Sequence, residues 1–195
     1  MSAKVKLAVF ASGSGSNYQA IDQSIRAGEL DAEIVLLVCD QPNAKVISRA
    51  RQNNLPVFLF NPNDYQDKAE FEEEIVSELK AYQVDWIILA GYMRLVGATL
   101  LSQYQGRMIN IHPSLLPAFP GLDAIGQALE AGVKVSGVTI HYIDSGMDTG
   151  EIIAQKAVTV ENEMTHDELQ TAIQHVEHEL YPRTIQQLIS EGDSF

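Results

Sequence analysis

Four short apolar runs, at residues 5–10, 34–39, 57–60 and 86–90, alternate with stretches of helical periodicity at 17–26, 44–53 and 68–82. Runs of this length and composition read as strands buried on both faces. Strand–helix–strand alternation closes through right-handed crossovers, so the first half of the chain is expected to build a parallel sheet covered by helices. A further strand is expected at 108–111 and a helix at 124–131. The segments 136–143 and 151–160 alternate more in polarity and read as added strands, one of them antiparallel. A last helix is expected to start at Thr165, with Glu168 three residues on as a capping box. Leu169, Ala172, Ile173, Val176 and Leu180 share one of its faces. Pro182 is expected to kink that helix or to begin a new one.

The fold class expected is therefore α/β: an open, mostly parallel, Rossmann-like sheet flanked by helices, with added C-terminal strands and a long C-terminal helix. Its 195 residues suit one domain, 1–195, with no internal repeat or linker. No run of eighteen apolar residues is present, so no membrane span is expected. The first residues lack the apolar core and cleavage site of a signal peptide. The single cysteine, Cys39, lies within an apolar run and is expected to be a buried thiol, and a cytoplasmic location follows as the default. The net charge of −13 repels nucleic acid and anionic membranes, so an anionic ligand would need local devices such as backbone amides. The acids at Glu70, Glu72, Glu73 and Glu74 are expected on a solvated helix face.

In open α/β sheets ligands gather at the carboxyl ends of the strands, so the loops after Phe10, Ala90, Ile111 and Ile143 are expected to share one crevice. The first of these, Ala11-Ser-Gly-Ser-Gly-Ser-Asn17, opens onto a helix. Its glycines allow close backbone approach, and free amides at a helix start attract anions. The third glycine of a dinucleotide fingerprint would fall at Tyr18, so a single phosphate fits better than a pyrophosphate. Asp40 stands where such a fold places a ribose-binding acid, which is the case for a nicotinamide enzyme; the missing glycine argues against it. In the second loop, Arg94 beside Met93, Leu95 and Val96 suits a flat, partly apolar ligand carrying carboxylates.

The most informative segment is Asn110-Ile-His-Pro-Ser-Leu-Leu-Pro117. Asn110 and His112 are two apart in an extended run, so an amide and an imidazole project from one face while Ile109 and Ile111 enter the core. Pro113 biases His112 toward extended geometry. The loop 144–150 is the other polar feature. Asp148 in its middle could orient the imidazole and favour its charged form, while Asp144 could serve a turn. His141 reads as a structural residue or a support behind the site. No His pair has metal-ligand spacing with a third ligand in sight, so no metal is expected.

The segment 110–117, Pro120-Gly121 and Asp148-Thr-Gly150 resemble the signature of the folate-dependent formyltransferases. The resemblance extends over essentially the whole chain, including the 12–17 loop, Gly91-Tyr-Met-Arg94 and Glu177-His178. It implies transfer of a formyl group from 10-formyltetrahydrofolate to the amine of glycinamide ribonucleotide in purine biosynthesis. It implies Asn110, His112 and Asp148 as catalytic, and Gly15, Ser16, Asn17 and Glu177 as contacts of the ribonucleotide. It also implies Lys68, Met93, Arg94, Leu95, Val96 and Asn110 as folate contacts. On that view about 1–100 is a phosphate-binding half and about 101–195 a catalytic and folate-binding half. Small-molecule substrates and a monomer or homodimer are expected, with no nucleic-acid partner. Lys68 departs from a common Arg and Glu151 from a frequent Pro; the resemblance suggests a cis Leu116–Pro117 bond, which the sequence itself leaves open. A tRNA-acting relative would carry a C-terminal domain, and a formyltetrahydrofolate hydrolase an N-terminal one for which the start at Lys4 leaves no room. The hydrolase and a non-catalytic nucleotide-binding module are the alternative readings.

Overall fold

The computed structural model describes residues 4–192. A seven-stranded sheet carries the molecule, in the order β3-β2-β1-β4-β5-β6-β7. Its strands are β1 (Val5–Phe10), β2 (Ala32–Cys39), β3 (Val57–Leu59), β4 (Trp86–Leu89), β5 (Met108–His112), β6 (Val135–Tyr142) and β7 (Ile152–Thr159). Strands β1 to β5 pair in parallel, and β6 is antiparallel to both of its neighbours. The helices are α1 (Ser16–Arg26), α2 (Lys45–Gln52), α3 (Lys68–Ala81), α4 (Ala98–Tyr104), α5 (Ala124–Glu130) and α6 (His166–Gly192). The strand order turns back between β1 and β4, which opens a crevice at their carboxyl ends.

Each face of the sheet has its own core. Leu7, Val9, Ile88, Ile109 and Ile111 pack with Tyr18, Ile21, Leu169, Ile173 and Tyr181 on the side of α1 and α6. Ala8, Phe10, Ile87, Leu89 and Met108 pack with Phe71, Ile75, Leu79 and Leu100 on the side of α3 and α4. Strict alternation along β1 and β5 feeds both layers, as a sheet buried on two faces requires. The buried Tyr181 hydroxyl lies 2.7 Å from Leu89 O and 3.2 Å from Ile109 O, so α6 is tied to the last residue of β4 and to the start of β5.

Three expectations change. The last helix runs through Pro182 without a break. Tyr181 and Ile185 on either side are buried to 1% or less, so packing holds the helix across the lost hydrogen bond. Glu72 leaves the solvated face of α3 and is 2% exposed. Its carboxylate accepts Gly97 N–H at 2.6 Å and Leu100 N–H at 3.3 Å, supplying the cap that α4 lacks in its own sequence. Helix α4 is the element that periodicity did not indicate. Its seven residues are too few to show a period, and its N-terminus depends on a side chain from α3. The Thr165–Glu168 capping box forms in both directions, at 2.8 and 3.3 Å. Leu116–Pro117 is cis.

Candidate active site

The loops after β1, β4, β5 and β6 meet in one cavity of about 460 Å³. The β1 loop contributes Gly13 to Asn17, and Gly15, at φ +74°, is the N-cap of α1. No side chain caps this helix, so neither Ser16 nor Asn17 consumes its free amides. Helix α2 shapes the loop from behind: Val46 N–H donates to Gly13 O at 3.2 Å and Arg49 Nε to Ser14 O at 2.9 Å. A carbonyl and the following N–H point opposite ways across a planar peptide. Holding the two carboxyl-side oxygens toward α2 therefore turns the Ser14 and Gly15 amides away from it. The result suits one phosphate.

At the end of β5, Asn110 and His112 project from the same face, and His112 reaches the 144–150 loop. His112 Nε2 lies 2.8 Å from Phe119 O. A carbonyl only accepts, so Nε2 carries a proton and Nδ1 is left as the ring nitrogen available to the cavity. Nδ1 lies 3.5 Å from Asp148 Oδ2. His141, 1% exposed on β6, has Nδ1 at 2.8 Å from Tyr142 O, so its Nε2 accepts from Asn110 Nδ2 at 3.2 Å. One N–H of the Asn110 amide is thereby engaged, and the other has no partner among the described residues. Asp148 Oδ1 is 3.6 Å from the same His141 nitrogen, and Oδ2 accepts Gly121 N–H at 2.8 Å. Burial pushes the Asp148 carboxyl up, but a hydrogen bond from His141 when that ring carries its second proton, the Gly121 amide and the charge of His112 outweigh it and hold its pKa below the ordinary value. Asp148 is thus a carboxylate at neutral pH, wedged between two imidazoles. Asp144 accepts from Gly146 N–H and Thr149 Oγ1 and serves the turn.

At the opposite wall, Asn17 Nδ2 donates to Glu177 Oε2 at 3.0 Å. Burial drives the Glu177 carboxyl up to about 7, and the Asn17 hydrogen bond offsets only part of that. Met93, Leu95, Leu122 and Met147 expose apolar surface around the mouth. Among the described residues, no group of three or more His, Cys, Asp or Glu side chains is placed to hold a metal ion. No described helix is long and apolar enough to cross a membrane.

The formyl transferase family model matches residues 5–185 of this chain. The chain belongs to the formyl transferase family. It is 54% identical over 184 residues to the phosphoribosylglycinamide formyltransferase of Bacillus subtilis (strain 168), covering 94% of each. It is also similar to the crystal structure of phosphoribosylglycinamide formyltransferase from Bacillus halodurans, at a TM-score of 0.93 and 57% identity, covering 96% of each chain. A glycinamide ribonucleotide transformylase 1 from Geobacillus kaustophilus matches at a TM-score of 0.93 and 58% identity, covering 95% of this chain and 99% of that one.

In this formyl transferase family member, the cavity gathers Gly15, Ser16, Asn17, Met93, Arg94, Leu95, Val96, Asn110, His112, Asp148 and Glu177. Lys68 lies outside that lining among the described residues, and its Nζ donates to Leu95 O at 3.1 Å. Arg94 is only partly available, since its Nε is held by Asp40 at 2.7 Å. The role of His141 as the acceptor that orients Asn110 is sharper than the sequence suggested. The structure sets His141 directly opposite Asn110 across β5 and β6, a register that residue order alone does not give. Phe119 gave no signal at all: its φ of +55° aims a carbonyl at His112, a backbone effect that no pattern of residue types encodes.

Proposed function

We propose that this chain transfers the formyl group of 10-formyltetrahydrofolate to the amine of glycinamide ribonucleotide, as a phosphoribosylglycinamide formyltransferase of purine biosynthesis. The observation that carries the reading is the single cavity lined both by the glycine-rich loop and by Asn110, His112 and Asp148. Gly15, Ser16 and Asn17 would receive the phosphate. Asn17 Oδ1 is buried without a partner and Glu177 stands beside it, two acceptors suited to ribose hydroxyls. The apolar mouth formed by Met93, Leu95 and Val96 with Leu122 and Met147 fits the flat folate; Arg94 on the lining, and Lys68 beside it on the Leu95 carbonyl, are the cations this reading offers to its carboxylates.

Attack by the amine on the formyl carbon makes a tetrahedral centre with an oxyanion. The free N–H of Asn110 and a protonated His112 Nδ1 are the donors this reading assigns to that oxygen, each such donor contributing about 2.7–4 kcal/mol. Asp148 Oδ2, 3.5 Å from His112 Nδ1, would orient that ring and can take up the proton, through water, that moves from the amine to the leaving nitrogen. These residues act by positioning, electrostatics and proton transfer, with no covalent enzyme intermediate. We read residues 1–195 as one formyltransferase domain. The lines of contact cross its two halves, because Glu177 meets the phosphate loop and 93–96 meets the folate. All of these residues come from one chain, so a monomer and a homodimer both suit the reading. The buried, free thiol of Cys39 suits a reducing, cytoplasmic setting.

The test is to mix the protein with both substrates and follow tetrahydrofolate release by absorbance. Release that depends on the ribonucleotide amine is the expected result. Release without the amine would mean a hydrolase, and no release at all would leave a binding module.

A further inference from the structure

We propose that Asp40 is a positioning residue for the folate side of the cavity, acting through Ser12 and Arg94. The proposal rests on the assignment of 93–96 to the folate made above. Asp40 follows β2, is 4% exposed and lies outside the cavity lining among the described residues. A buried carboxylate is costly unless it is paired and hydrogen-bonded. Here Oδ1 accepts from Ser12 Oγ at 2.6 Å, and Oδ2 accepts from Arg94 Nε at 2.7 Å with a long contact from Gln41 at 3.4 Å.

Both strong partners lead to the same loop. Ser12 Oγ accepts Met93 N–H at 3.0 Å, and Ser12 N–H donates to Gly91 O at 2.9 Å. Three links therefore run from the Ser12 and Asp40 pair to Gly91, Met93 and Arg94. The far end of this loop is held separately, by Lys68 on Leu95 O and by Glu72 on Gly97 N–H. With the near end released, the 91–94 backbone loses the fastening that shapes it, and Arg94 loses the charge that fixes its guanidinium. The phosphate loop has a different fastening, from Val46 and Arg49 of α2 to Gly13 O and Ser14 O. Two loops with separate supports should respond separately when one support is removed.

This separation gives the experiment. Steady-state kinetics and direct 10-formyltetrahydrofolate binding would be measured for the wild type, Asp40→Asn, Ser12→Ala and Arg49→Met. Asp40→Asn keeps an acceptor for Ser12 and removes the charge facing Arg94. It should raise the folate KM and Kd about tenfold, the scale of one charge-assisted hydrogen bond, with kcat and the ribonucleotide KM within about twofold. Arg49→Met should show the opposite pattern, raising the ribonucleotide KM alone. Ser12→Ala breaks the bridge to Met93 without leaving a variant charge unpaired, so it carries the test if Asp40→Asn folds poorly. An unchanged folate KM in both Asp40→Asn and Ser12→Ala, or equal loss for both substrates, would overturn the proposal. A wild type that binds no folate would instead overturn the assignment of the mouth, a distinct outcome.

Discussion

Asn17 Nδ2, at the start of α1, donates to Glu177 Oε2 in α6 at 3.0 Å across 160 residues of sequence. Both side chains are more than nine-tenths buried. The contact joins the glycine-rich loop to the C-terminal helix and places a carboxyl that titrates at about 7 on the wall of the cavity.

The first prediction concerns pH. The folded-state pKa of Glu177 is raised, so the folded protein holds a proton there that the unfolded chain has released. Stability from this group is fully present below about 4.5 and declines as pH rises through about 7. Glu177→Gln removes the dependence. Its stability relative to wild type should rise with pH across that window by a few kcal/mol, on the order of 3 for a shift of this size. Chemical denaturation at pH 5 and pH 8 measures it. A constant difference between the two proteins would show that Glu177 is not the titrating group.

Asn110→Ala and Asp148→Asn test the proposed catalytic cluster. The first removes a donor aimed at the cavity, and the second removes the charge between His112 and His141. Each should lower kcat by about two to three orders of magnitude. Near-normal turnover in either, with an unchanged melting temperature, would remove that residue from the mechanism.

Gly15→Val tests the loop. A Cβ at this position would sit 2.6 Å from Val46 Cγ2, at a φ of +74° that valine rarely adopts. The loop must shift, so ribonucleotide affinity should fall by about tenfold or more while folate affinity changes little. Comparable losses for both ligands would reduce the loop to a turn.

Glu72→Ala tests the buried carboxylate. It leaves the Gly97 and Leu100 amides without their acceptor. The cost should be about 1–3 kcal/mol, read as a melting temperature lower by roughly 2–12 °C for a chain of this size. No change in melting would mean that water replaces the carboxylate as a cap.

Much of this was open to reading from residue order. Asn110 and His112 lie on one face because a strand repeats every two residues, and the continuous apolar runs place β1 to β4 because a strand covered on both faces needs apolar side chains throughout. Glu72 was misread because three acids around it do face water, and a single inward turn leaves no mark on charge patterning. Pro182 does not begin a new helix because a local rule for helix breaking yields to the packing of Tyr181 and Ile185. Arg94 looked free because its partner, Asp40, is 54 residues earlier.

The chain by itself therefore determined the alternating architecture, the glycine loop, and the amide and imidazole at one strand end. Those depend on neighbours within a few positions, where backbone geometry repeats. Only the tertiary structure decided that His141 orients Asn110, that Phe119 takes up His112 Nε2, and that Asp40 holds the 91–94 loop. These depend on side chains brought together from distant segments, and the energies that bring them together belong to the packed fold.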